Sequence, residues 1–384
     1  MNPFRTLSTR RLIVLVAAVA ALAAGGAAIA VAARGGGPTP PPKPLAQAIH
    51  DALAAPQPAG IIARIDFTNR LFPSGSIVGQ AGSALLSGAT GRLWMTNDGR
   101  GRLELQSDAG DVQVVWNPTK ITIYDASSNT VYTLTRPPRP DTSKQETAPA
   151  LSQISDFLRE LAGYASVSDA QPSNVAGEPA YTVRVSPKHD GGLLGAAELA
   201  WDATHGVPLR AAVYAQGSSS PVLQLEATQI SFGPVSSSDV DVSPPANAKT
   251  VDLGSLARSA AKAPAGSVSG LDAVRAEAGF PVVAPDTLVG LPRRDVRLVG
   301  GNVLVVYGQG LGAIVLVERK ADTTAPQQGG LLSSLPQVSI DGATGHELAT
   351  QLGTVLQWQE GGVSFVLAGS LPPAAAEAAA RDLR

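Results

Sequence analysis

The chain reads as an α+β protein of two mixed domains behind an apolar N-terminal segment. Three observations point there. Residues 12–33 are uncharged and apolar. A run of short stretches then alternates apolar and polar residues with period two. Finally, an Ala-, Ser- and Gly-rich interval at 246–270 precedes a second, similar pattern.

The N-terminal tail, 1–11, carries Arg5, Arg10 and Arg11. The stretch "LIVLVAAVAALAAGGAAIAVAA" follows and stays uncharged until Arg34. About 20 apolar residues suffice to cross a hydrocarbon core. The basic cluster should keep the tail cytoplasmic and place everything after Arg34 outside. Two readings stay open: a retained single-pass anchor in the cytoplasmic membrane, or a signal removed near the small residues Ala30 and Ala32, with secretion. The linker 34–44, "RGGGPTPPPKP", reads as a stiff extended tether.

The first domain spans 45–245. "LAQAIHDALA" has Leu45, Ala48, Ile49, Ala52 and Leu53 at helical spacing. The period then drops to two. One strand face holds Leu103 and Leu105, the next Val112, Val114 and Trp116, then Ile121 and Ile123, then Tyr132 and Leu134. The polar interruptions between them are the turns of an antiparallel meander. Residues 154–165 predict an amphipathic helix with Ile154, Phe157, Leu158 and Leu161 on one side. Strands resume with "AYTVRVS" (Val183, Val185), "AAELAW" (Leu199, Trp201), "PLRAAVYA" (Val213) and "PVLQLEATQISF". Prolines at "DVSPPANAK" should end the domain. After the 246–270 linker, 271–384 forms a smaller α+β domain. It opens on the helix-like "LDAVRAEAGF", continues through "VLVVYG", "GAIVLVER", "TVLQWQ" and "VSFVLAG", and ends in the helix-forming "PPAAAEAAARDLR".

Composition excludes several function classes. The 384 residues contain no cysteine, which removes disulfides, thiolate metal sites and thiol catalysis. The four histidines, His50, His189, His205 and His346, are far apart, so no metal site is expected. A net charge of −2 gives no footprint for nucleic acid. Charged residues are 16%, below the usual quarter, and Ser, Thr, Gln and Pro cover the surface instead.

Candidate chemistry is thin. "WDATHGVPLR" (201–210) pairs Asp202 with His205, but Asp202 can cap a turn and Gly206 can take its positive φ, and no nucleophile accompanies them. "YGQGLGA" (307–313) matches a dinucleotide fingerprint. That motif needs a helix next, and "AIVLVERK" is β-rich, so a glycine-rich hairpin is expected. "GSVSG" (266–270) has Val where a nucleophilic Ser would sit. Glu198 and Asp202 could pair as glycosidase carboxylates, though carboxylates on a solvated strand face are ordinary. In "GGLLGA" (191–196), Leu193 and Leu194 either tuck into the core or form an exposed lid over a cavity. No catalytic residue, metal ligand or cofactor is assigned, and no enzyme activity is expected.

"ELAWDATHGVPLRAAVYA" resembles the strand–Asp–turn–Gly–x–Pro–Leu–Arg–strand segment of the LolA-like lipoprotein-carrier superfamily. "ITIYDASSNTVYTLTRP" is similar to its earlier Tyr–Asp hairpin. The carrier-like domain followed by a second domain also resembles the arrangement of the MucB/RseB regulators of envelope-stress sigma factors. "LQWQEGGVSFVLAGSLPPAAAEAAARDL" resembles the end of a small extracytoplasmic module of unknown function. The resemblance implies a curved antiparallel half-barrel wrapped over helices, with an apolar cavity between them. Its implied ligand is an acyl chain of a lipid or lipoprotein, and its implied partners are the cytoplasmic membrane and, on the regulatory alternative, an anti-sigma factor. The alternating apolar positions supply the candidate cavity wall: Leu103, Leu105, Val112, Val114, Trp116, Ile121, Ile123, Val183, Val185, Leu199, Trp201 and Val213.

Overall fold

The computed structural model describes residues 37–72, 84–136, 148–188, 192–253, 268–321 and 335–383. The expected membrane segment 12–33 lies outside the described residues. Among those described, no helix is long and apolar enough to cross a membrane. The chain divides into two compact units. Each is mostly sheet with few helices, and neither sheet closes on itself.

The first unit opens with α1 (Leu45–Ala54), β1 (Gly60–Asn69), α2 (Ala84–Ser87), β2 (Ala89–Thr96), β3 (Gly101–Ser107), β4 (Gly110–Trp116), β5 (Lys120–Asp125) and β6 (Thr130–Thr135). Then come α3 (Leu151–Leu161), β7 (Ala165–Val167), β8 (Gln171–Val175), β9 (Glu178–Pro187), β10 (Leu194–Asp202), β11 (Pro208–Ala215), β12 (Pro221–Phe232), α4 (Ser237–Val240) and β13 (Lys249–Asp252). They form one sheet in the order β13-β6-β5-β4-β3-β2-β1-β12-β11-β10-β9-β7, with β8 also paired to β9. Where the register is given, every pairing is antiparallel except β13 with β6, which is parallel.

The predicted meander strands are all present, and four differences stand out. β1 and β2 form where no strand is predicted, and they join the meander to β12 through nine- and eight-residue ladders. α3 starts three residues earlier than expected, with Gln153 Oε1 accepting from the Ala150 N–H at 2.9 Å. It stops at Leu161, and β7 begins at Ala165, the last residue assigned to the helix. β8 is unforeseen because "QPSNV" carries no apolar alternation. β13 lies beyond the prolines, inside the stretch expected as linker, and pairs with the sheet edge after them.

The second unit contains β14 (Val268–Ser269), α5 (Leu271–Glu277), β15 (Thr287–Leu288), β16 (Leu291–Val299), β17 (Asn302–Tyr307), β18 (Ile314–Lys320), β19 (Gln337–Ile340), β20 (Ala343–Thr350), β21 (Gly353–Glu360), β22 (Val363–Gly369) and α6 (Pro373–Arg381). Its sheet order is β14-β16-β17-β18-β22-β21-β20-β19, with β15 on β16. Val303, Val305, Tyr307, Ile314, Leu316, Leu356 and Leu367 are wholly buried, and Ala376, Ala379 and Ala380 of α6 pack in the same core. "YGQGLGA" is a hairpin connection: a single 3₁₀ turn, Gly310–Gly312, joins the antiparallel β17 and β18. A dinucleotide site would need a helix there.

Candidate functional site

The twelve candidate wall residues fall into two groups that the structure treats differently. In β9 and β10, Val183 stands opposite Leu199 and Val185 opposite Ala197. Tyr181 stands opposite Trp201, their ring centroids 6.2 Å apart. Val183, Val185, Leu199, Trp201 and Val213 are all buried, none more than 7% exposed. The Tyr181 hydroxyl donates to the Pro41 carbonyl at 2.7 Å, and the Lys43 ammonium lies 5.4 Å from the centre of the Tyr181 ring. Lys43 in turn pairs with Asp51 of α1 at 2.6 Å, which holds its pKa up and that of Asp51 down. The α1 residues Leu45, Ala48, Ile49, Ala52 and Leu53 are buried as a stripe. This half of the sheet is packed core.

The other half is β3 to β6. Leu103 stands opposite Val114, and Val114 opposite Ile123. Trp116 stands opposite Gly101 and Ile121. The Trp116 ring lies so close over Gly101 that a Cβ there would strike it. A glycine is required for the ring to sit flat on the sheet. Leu105 and Val112 are buried at 2% each, with Ala84 of α2 packed on them. Leu103, Val114, Trp116, Ile121 and Ile123 are only half-buried, and Leu134, opposite Ile121, is 39% exposed. The same face is therefore closed at the Leu105 end and left partly open at the other.

Leu193 and Leu194 are not an exposed pair, which corrects the lid expectation. Leu194 begins β10 and is 4% exposed, and the half-buried Leu193 donates its N–H to Ser370 Oγ at 3.0 Å. These two leucines are spent on packing and backbone bonding.

The Asp202–His205 pair is a turn. Asp202 is 1% exposed. Its Oδ2 accepts from the Thr204 N–H at 3.0 Å, from the His205 N–H, and lies 3.0 Å from His205 Nδ1. The His205 ring packs on Phe232 with centroids 4.1 Å apart. Gly206 has φ +68°, and a Cβ on it would run into the Ala52 backbone of α1. The turn is thus the seat on which the end of α1 rests.

Glu198 does not pair with Asp202. It bonds Arg184 at 3.2 Å and Arg210 at 2.6 Å, and Arg210 also reaches Glu226 at 3.9 Å. Arg184 lies 4.5 Å from the Tyr214 ring centre. Burial raises the pKa of both Tyr214 and Glu226, with Glu198 adding to the rise in each. A carboxylate clamped between two guanidinium groups is a structural element of the sheet.

Sequence reasoning missed Glu318. Alternation along β18 puts it on the core face after Ile314 and Leu316, a signal that was readable. It is 0% exposed. Oε2 accepts from the Val283 N–H at 3.0 Å, while Oε1 has no partner among the described residues. Burial pushes its pKa up to about 7. Among the described residues no cluster of His, Cys, Asp and Glu could hold a metal ion.

No family model and no curated protein matches the chain. Solved structures similar to it include the MucB–MucA complex of Pseudomonas aeruginosa, at 16% identity, 88% of this chain, 94% of that one and a TM-score of 0.42. A structure of MucB alone matches at 16% identity over 88% of this chain and 96% of that one, TM-score 0.38. A putative outer-membrane lipoprotein-sorting protein domain from Vibrio parahaemolyticus matches at 11% identity over 52% of this chain and 96% of that one, TM-score 0.22.

Proposed function

We propose that the first unit binds an apolar chain, the acyl chain of a lipid or lipoprotein, over β3 to β6 and performs no chemistry. The binding surface is the concave side of a half-barrel. The protein works outside the cytoplasm, tethered to the cytoplasmic membrane by residues 12–33. One observation carries the reading: Leu103, Val114, Trp116, Ile121 and Ile123 form a contiguous apolar surface that stays half open while the β9–β11 half of the sheet is sealed. Each methylene moved from water onto such a surface gains about 0.8 kcal/mol when fully buried, so even part of an acyl chain binds usefully. The polar groups that could have suggested catalysis are committed elsewhere, Asp202 to its turn and Glu198 to two arginines. The regulatory alternative shares this ligand step and differs in what the loaded protein then contacts.

The test is native mass spectrometry and lipid extraction on the full chain purified from its own membranes. Co-purifying lipid that disappears in Val114→Asp, with circular dichroism unchanged, supports the proposal. A protein that carries no lipid and also excludes fluorescent fatty-acid probes would sink it.

A further inference from the structure

The proline-rich stretch before α1 reads in sequence as a stiff extended tether, and from residue 38 onward it is bound to the sheet. Asn174 Nδ2 donates to the Pro38 carbonyl at 2.9 Å, and the Tyr181 hydroxyl donates to the Pro41 carbonyl at 2.7 Å. Pro40 between them is buried. Lys43 closes the far end through the Tyr181 ring and Asp51. An extended proline-rich chain suits this role. It has no internal hydrogen bonds, so its carbonyls are free to accept, and little conformational freedom is lost on docking. Both donors belong to the β8–β9 hairpin.

We infer that residues 38–44 are a strap that holds the β8–β9 hairpin against the headgroup layer of the membrane spanned by residues 12–33. The inference rests on the tethered reading proposed above. Its force comes from chain length. The five steps from Ala33 to Pro38 extend at most roughly 15–18 Å at about 3.1–3.6 Å per residue. Were the chain free up to Leu45, its twelve steps would allow roughly 37–43 Å. Docking therefore removes more than half of the reach and gives the unit one fixed side toward the bilayer. The meander is carried away from that side: six strand-to-strand steps separate β9 from β3, about 29 Å along the sheet at ~4.8 Å per step. The partner of the hairpin is thus a lipid surface, and the surface offered to ligand is set apart from it.

The absence of cysteine makes a direct test simple, because any introduced cysteine is unique. Spin labels at Glu178→Cys, in the hairpin, and Ala126→Cys, in the β5–β6 turn, are compared in the full chain. The chain is reconstituted in phosphatidylethanolamine–phosphatidylglycerol vesicles doped with nickel-chelating lipid. The strap predicts strong relaxation of the label at 178 and weak relaxation at 126. A long Gly/Ser insertion between residues 36 and 37 should abolish the difference with circular dichroism unchanged. Tyr181→Phe combined with Asn174→Ala should reduce it. Equal relaxation at both sites, or indifference to the insertion, in protein that survives an alkaline carbonate wash of the vesicles, overturns the strap while leaving the anchor standing. Protein stripped off by the wash overturns the anchor and the strap together.

Discussion

The two halves of the first sheet use one sequence pattern for opposite purposes. In β9 to β11 the alternating residues are sealed, and in β3 to β6 most of them are half open. Strand composition does not explain the difference, since both halves alternate Val, Leu and a Trp with polar residues. What differs is the neighbour. The proline strap stands on Tyr181 and the end of α1 on the turn after Trp201, whereas the single turn of α2 helps bury Leu105 and Val112 and leaves Leu103, Val114 and Ile123 packed only at the margin of that cluster. Alternation tells which face is apolar, and distant segments decide whether it becomes core or surface.

The comparison predicts unequal costs for similar truncations. Trp201→Ala and Leu199→Ala should each destabilise the first unit by about 3–5 kcal/mol, the range for large cavities in packed cores. Urea denaturation followed by circular dichroism measures this. Costs near those of half-open positions would erase the distinction between the halves.

Those costs can be read only if the two units' transitions are told apart, and Glu318 provides the label. Its folded pKa of about 7 lies above the ordinary 4.5. A raised pKa means the folded state holds the proton more tightly. The contribution is complete below pH 4.5 and is lost as pH rises through 7. The second unit should therefore lose up to about 3 kcal/mol between acid and mildly alkaline buffer, and Glu318→Gln should flatten that dependence. A first-unit transition that tracked the substitution instead would contradict the assignment.

Asp202→Ala should cost about 2 kcal/mol, because it strips the acceptor from a buried turn that also seats α1. His205→Ala should cost less and leave lipid binding unchanged, which equilibrium denaturation and probe titration can check. An abolished activity with an intact fold would return the pair to catalysis. The smallest effect belongs to the open half. Ile123→Ala should cost about 1 kcal/mol or less, since its side chain is incompletely buried to begin with. A loss of lipid-probe affinity larger than the loss of stability would separate ligand contact from packing.

The meander, the long β12 and the α1 stripe were legible because their apolar residues follow a clean local period. The turn at Asp202 was legible because capping chemistry is local as well. β16 was hidden by Arg293, Arg294, Asp295 and Arg297, charges that an exposed strand face tolerates. β13 was hidden because its pairing with β6 joins residues more than a hundred positions apart. The strap was hidden for the same reason, since its partners Asn174 and Tyr181 belong to a distant hairpin. Glu318 shows the converse: its position on the core face was readable, while its bond to Val283 was not.

An apolar chain received on the β3–β6 face and excluded from the β9–β10 face would be sensed differently by two tryptophans. Two of the four tryptophans, Trp116 and Trp201, stand one in each region. With Trp94 and Trp358 replaced by Phe, each of the two can be kept alone and its fluorescence followed while a brominated fatty acid is added. Saturable quenching of Trp116 is expected, with little change in Trp201. Quenching of Trp201 alone, or of neither, would contradict it.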